Sequence, residues 1–234
     1  MAVVAMVCWL VAIGEIPRWR WGGCLAVDHA PLPAAGRFPI SLPHGAKVRI
    51  FGDSNSAGNR IGAGNAWPAL LPRLFLDRIT VTNHARGGSV AEDGLAMMPR
   101  ARSADLCIVA FGSNDAAPRA GLSNRKPVAL ARYGNAIVAI ARHCARMGAQ
   151  VVVLAPPPPG SKAMERRIAP YRLAAREAAL TAGAHFLDPA PAIAEGRGSG
   201  SDAAPALLYD AIHLGPDAHQ RLARWISERI EVGR

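Results

Sequence analysis

Alternating strand-like and helix-like patterns along the 234-residue chain predict an α/β fold built on a parallel sheet covered by helices on both faces. Three observations carry that prediction. Short β-like runs recur with helix-length stretches between them, the spacing that parallel strands need for their crossovers. Two of those runs, 107–111 and 151–155, are continuously apolar, as strands buried on both faces are. Polar and glycine residues then collect where strand patterns stop: Gly52-Asp53-Ser54, Gly87-Gly88-Ser89 and Gly112-Ser113-Asn114-Asp115. Ligands of open α/β sheets bind beyond the carboxyl ends of the strands. Three strand ends therefore deliver small or polar groups to one rim.

Half of the residues are hydrophobic and 19% are charged, which suits a soluble domain with a large core. Residues 1–45 read as an N-terminal apolar segment and a Pro/Ala/Gly-rich linker, and 46–234 as one folded domain. The apolar run 2–13 is too short to cross a bilayer comfortably and lacks the basic flank of a secretory signal. Arg18 and Arg20, interleaved with Trp19 and Trp21, suit a membrane interface. A signal peptide, a surface anchor and an extension packed on the domain all fit. Export or anchoring is favoured over a cytoplasmic location, with weak membrane association through this segment.

The expected elements follow in order. A first strand at 48–51 runs into the Gly52-Asp53-Ser54 turn, and a helix at 66–76 opens on Trp67 and Pro68, a core residue and a helix-start proline. A strand at 79–83 precedes Gly87-Gly88 and a helix at 91–101. The apolar strand 106–111 precedes a long helix at 127–147. The strand 151–155 ends in Pro156 to Pro159, which stiffen the loop before a helix at 162–182. A last strand at 185–187 is followed by a helix at 216–230 that Pro216 helps to start.

The net charge of +10 comes almost wholly from arginine, the lysines being Lys47, Lys126 and Lys162. The basic residues are dispersed in pairs such as Arg166 and Arg167, without a long basic run. A solvated basic surface is expected and no nucleic-acid partner. Of the four cysteines, none forms a CxxC pair. Cys107 lies in a strand pattern and Cys144 in a helical one, so both read as small buried residues and no disulfide framework is implied.

A serine at a strand-to-helix turn holds its hydroxyl out of the sheet and its own N–H near a helix N-terminus. That suits a nucleophile whose product is an oxyanion. Taken alone, the triplet around Ser54 reads as an ordinary helix start, because Asp and Ser are common caps. The rest of the chain supplies the missing partners. His213 lies three residues after Asp210, so a loop there can offer a base and the carboxylate that orients it. The N–H groups of Ser54 and Gly88 and the amide of Asn114 can converge as donors from three strand ends. Asp53 reads as a turn and cap residue, Asp115 as a loop fastener, and Asp188 as a rival to Asp210 without a useful partner nearby. His84, His143, His185 and His219 read as packing or surface residues, as do Met97 and Met98.

The ordered set GDSNSAG at Gly52, GG at Gly87, GSND at Gly112 and DAIH at Asp210 resembles the SGNH (GDSL) hydrolase family. The stretch GDSNSAGNRIGAGNAWPALL is similar to the opening of its bacterial arylesterase/lysophospholipase/thioesterase I branch. The resemblance implies a three-layer α/β/α sandwich around a five-stranded parallel sheet, flavodoxin-like in arrangement. It implies Ser54 as nucleophile, His213 as base, Asp210 as its partner, and an oxyanion hole of Ser54, Gly88 and Asn114. It implies hydrolysis of small-molecule or lipid esters, thioesters and lysophospholipids included, with no metal and no cofactor. Alternatives are removal of O-acetyl groups from carbohydrate and a non-catalytic ligand-binding protein of the same fold. Oligomeric state is not readable. Asn55 stands where the GDSL form has Leu, a departure expected to bear on the substrate pocket rather than on the chemistry.

Overall fold

A computed structural model describes residues 19–20, 23–24, 30–98, 103–117, 126–194, 207–208 and 210–233. The apolar run 2–13, Arg18, Trp21 and the end of the helix expected at 91–101 lie outside these residues.

In chain order the strands are β1 (Trp19–Arg20), β2 (Gly23–Cys24), β3 (Ile40–Leu42), β4 (Ala46–Gly52), β5 (Ile79–Asn83), β6 (Leu106–Ala110), β7 (Gln150–Leu154), β8 (His185–Leu187), β9 (Leu207–Leu208) and β10 (Ile230–Val232). The helices are α1 (Ser54–Ala57), α2 (Trp67–Leu74), α3 (Ala91–Ala96), α4 (Ser113–Ala116), α5 (Leu130–Arg146), α6 (Lys162–Ala182), α7 (Ala190–Ala194) and α8 (Pro216–Ser227). All five expected strands and all five expected helices are present, with ends that shift by a few residues.

Five parallel strands form the central sheet in the order β5-β4-β6-β7-β8. The chain leaves β4 toward one edge and returns to build the other side from β6. The switch point therefore falls between β4 and β6, where open α/β sheets hold their ligands. Register places Gly52 beside Ala110, so the loops after these two strands start level with each other.

Alternation along each strand splits the core in two. Val48, Ile50, Leu106, Ile108, Val152 and Leu154 face α2 and α8, which bury Trp67, Leu71, Leu222 and Ile226 against them. Phe51, Cys107, Val109, Val151, Val153 and Phe186 face α5 and α6, which contribute Tyr133, Ile137, Ile140 and Ile168. This is the three-layer α/β/α sandwich that the motif set implied.

Two readings need correction. Residues 30–45 are packed on the domain rather than forming a free linker. The N–H of Leu32 donates to Asp188 at 3.0 Å, Ala35 pairs with Phe186, and β3 pairs in parallel with β10. Proline and glycine here shape turns within a docked segment, and β10 cuts short the helix expected to reach residue 230. Cys107 and Cys144 are buried as expected, but they are also joined as a disulfide linking β6 to α5, with Cα atoms 6.2 Å apart. No helix among the described residues is long and apolar enough to cross a membrane.

Candidate active site

The nucleophile turn is built from its own cap. Asp53 stands at the N-cap of α1, where its carboxylate accepts the N–H of Asn55 at 3.0 Å. Its N–H donates to the carbonyl of Ala110 at 3.3 Å, stitching the turn to the end of β6. Ser54 opens α1 and keeps 6% of its surface exposed. Gly58 closes the helix in the left-handed region, its N–H returning to the Ser54 carbonyl at 3.1 Å. Burial raises the Asp53 carboxyl to about 6, against the opposing pull of the Asn55 N–H, the nearby His213 and hydrogen bonds from Ser113. Asp53 is thus a cap and a strut between two loops, as its residue type suggested.

The loops after β5 and β6 are fastened to each other and to this turn. Arg86 donates its N–H to Gly52 at 3.1 Å, and the side-chain amide of Asn114 donates to the carbonyl of Ser89 at 3.1 Å. Gly88 lies between them with φ of 77°, and a Cβ there would project into open space. Gly87 differs, since a Cβ on it would sit 2.3 Å from the Asn59 amide nitrogen. Asp115 is buried and accepts the Ala91 N–H at 3.0 and 3.2 Å, which pins the start of α3 to the Asn114 loop. Burial raises its carboxyl to about 7, the Ala91 N–H opposing and the Asp53 charge adding to the rise. Tyr133 on α5 donates its hydroxyl to the Phe111 carbonyl at 3.1 Å and steadies the same loop from below.

The third part is the loop 210–213. Nδ1 of His213 lies 2.7 Å from Asp210 Oδ2, while Asp210 Oδ1 accepts the N–H groups of Ile212 at 3.1 Å and His213 at 3.0 Å. Arg60 Nε approaches Asp210 Oδ2 at 2.9 Å. Burial opposes ionisation of Asp210, but the bonds from the His213 ring and from the two N–H groups outweigh it and bring the carboxyl down to about 2. An ionised Asp210 holds the imidazole with its proton on Nδ1. Nε2 is then left as the acceptor; it is shielded from solvent and has no hydrogen-bond partner among the described residues. Ala211 takes up a left-handed φ of 62° to make this turn, and Gly160, at the end of the proline run, donates to its carbonyl at 2.8 Å. Arg172, fully buried on α6 and paired with Glu165, donates to the Pro156 carbonyl at 2.9 Å and holds the start of that run.

Asn55 is where the structure departs from the reading of the motif. It is buried, and its side chain reaches the backbone on both sides of His213. Its amide nitrogen donates to the Ile212 carbonyl at 3.4 Å, and its oxygen accepts the Leu214 N–H at 2.9 Å. Nothing in the local sequence announces this, because the partners lie 157 and 159 residues away.

The remaining candidates have structural work. Asp188 accepts the N–H groups of Leu32 and Ala190, both at 3.0 Å. His84 stacks on Phe51 with ring centroids 5.1 Å apart, and its Nε2 lies 3.3 Å from Arg49. His219 is buried, with Nδ1 accepting the Trp67 N–H at 3.2 Å. Burial, with a smaller contribution from His213, lowers it to about 4, so it is neutral and joins α2 to α8.

The chain was compared with known proteins. It is 35% identical over 75 residues to an arylesterase of Vibrio mimicus, a match covering 30% of this chain and 38% of the relative. It is 38% identical over 69 residues to the thioesterase 1/protease 1/lysophospholipase L1 of Escherichia coli K12, covering 28% of this chain and 33% of the relative. The chain thus spans little more than a third of the length of these relatives. A catalytic mutant of Axe2, an acetylxylan esterase from Geobacillus stearothermophilus, shares the fold with a TM-score of 0.68 at 21% identity, over 82% of this chain and 99% of that one. Residues 50–221, which contain all three loops, match a family model as a whole, and the chain belongs to the GDSL-like Lipase/Acylhydrolase family.

Proposed function

We propose that this chain is a serine hydrolase that cleaves carboxylic esters through an acyl-enzyme on Ser54. The observation that supports it best is the state of His213. One ring nitrogen is engaged by an ionised Asp210, and the other is desolvated and unpartnered on a loop bound to the helix that Ser54 opens. Such a nitrogen can accept the Ser54 proton as Oγ attacks an ester carbonyl, and then deliver it to the departing alkoxide. The oxyanion of the tetrahedral intermediate would be met by the N–H groups of Ser54 and Gly88 and by the free N–H of the Asn114 amide. Water activated by His213 then releases the acid and restores Ser54.

The names of the sequence relatives point to aryl esters, lysophospholipids and acyl thioesters as the first substrates to try. Fluorophosphonate labelling with mapping of the adduct, run beside hydrolysis of p-nitrophenyl esters from acetyl to palmitoyl, tests the reading. Labelling is expected at Ser54. In Ser54→Ala, both labelling and turnover are expected to disappear, the rate falling by about 10⁶. An adduct elsewhere, or ester turnover that survives in Ser54→Ala, would move the chemistry to another residue. A folded wild-type protein that neither labels nor turns over would be a ligand-binding member of the fold.

A further inference from the structure

We infer that Asn55 is a positioning residue for the proposed base: its side chain fixes the His213 loop against the helix that Ser54 opens. The inference rests on the serine-hydrolase reading for its kinetic consequence, but not for its geometry.

The argument starts from the two groups that Asn55 meets. On one side of His213 is a carbonyl, that of Ile212, and on the other an N–H, that of Leu214. A primary amide carries a donor and an acceptor on one planar group, so one side chain satisfies both. Reversing the amide would set its nitrogen against an N–H and its oxygen against a carbonyl, so the orientation is determined by the partners. Leu can make neither bond, and Asp can make only the bond to Leu214.

The position matters as much as the chemistry. Holding the backbone before and after His213 fixes the direction in which its Cα–Cβ bond leaves the loop. The group that does this sits one residue from Ser54 on α1. Other contacts on the loop come from elsewhere: Leu208 donates to the His213 carbonyl at 2.7 Å, and Gly160 donates to that of Ala211 at 2.8 Å. The turn after α1 adds Arg60 on Asp210. Asn55 is the contact from the nucleophile's own helix. It ties the backbone that carries the imidazole directly to the helix that Ser54 opens. Displacements of about an ångström at a reacting centre cost about 10²-fold in rate.

The test uses Asn55→Leu, which removes both bonds, and Asn55→Asp, which is nearly isosteric and keeps the acceptor. Thermal unfolding establishes that each variant is folded; should the Leu form fail to fold, the Asp form carries the test. With a p-nitrophenyl ester, kcat is expected to fall about 10- to 100-fold in Asn55→Leu and less in Asn55→Asp, with KM within about twofold of wild type. The fluorophosphonate labelling rate should fall in parallel, since it reports activation of Ser54 with fluoride rather than an alkoxide leaving. Independently of turnover, the low-field proton resonance of the His213 Nδ1–H should broaden or move in both variants. Wild-type kcat, labelling and proton resonance in either folded variant would overturn the inference. So would a change confined to KM and to acyl-length preference, which would make Asn55 a pocket residue. A protein inactive in every form, whose proton resonance still responds to Asn55, would remove the functional reading and leave the positioning role standing.

Discussion

Asn114 has two amide hydrogens and a structural partner for one of them. The bond to the Ser89 carbonyl uses that hydrogen and leaves the other to a further acceptor. The donor is neutral, so it can face a developing negative charge without having drawn a counter-ion into the site beforehand. Asn114→Ala is therefore expected to lower kcat by about 10²–10³ with little change in KM, measured by steady-state hydrolysis of a p-nitrophenyl ester. Ser54, Gly88, Asn114, Asp210 and His213 could all be proposed before any coordinates, because each sits in a turn whose residue types suit the proposed chemistry. The contact made by Asn55 could not. A buried amide reaching across more than 150 residues of sequence leaves no local pattern.

Helix α3 shows how packing reaches the site at the level of an element. Its N-terminal N–H, from Ala91, is bound by Asp115 in the loop that carries Asn114. Its middle lies against α5 and the residue that follows β6 through Gly94, where a Cβ would come within 2.7 Å of Ile140 Cδ1 and 2.8 Å of the Phe111 ring. The absent side chain lets the helix settle close enough for that capping bond. Gly94→Ala should overpack this contact and destabilise the protein by about 1–3 kcal/mol, read from urea unfolding at fixed pH. Elements of this kind were legible to different degrees. The long helices and apolar strands announced themselves by length and by period. The three-residue strands β3 and β10 did not: both lie outside the strand–helix alternation, and their pairing joins Ile40 to Ile230. Proline-rich composition in 30–45 then pointed toward a linker, although the segment is fastened at Leu32 and Ala35.

Across the whole molecule, the buried acids give stability a readable pH dependence. Asp53 and Asp115 have carboxyl groups raised to about 6 and about 7, so the folded chain holds their protons more tightly than the unfolded one. Their contribution is fully present below the ordinary carboxylate range, near 4, and is lost as pH rises through 6 to 7. Asp210 has the opposite sign in a separate window: its contribution is present above about 4 and is lost as pH falls toward 2. Melting temperature should therefore decline between pH 5 and 8 by more in the wild type than in Asp115→Asn, which keeps an acceptor for Ala91 and has no proton to lose. Thermal scans across that range check it; parallel curves for the two proteins would remove Asp115 as the source.

The Cys107–Cys144 bond lies wholly inside the layer between β6 and α5, with neither side chain reaching solvent. Thiol exchange needs an attacking thiolate to arrive in line with the sulfur pair, and here none can arrive while the layers stay together. The bond is thus written while the chain is still open and afterwards reads out only on global opening. Protein matured among glutathione and thioredoxin would carry two sealed thiols, protein matured beside an oxidant would carry the bridge, and neither form could convert to the other without unfolding.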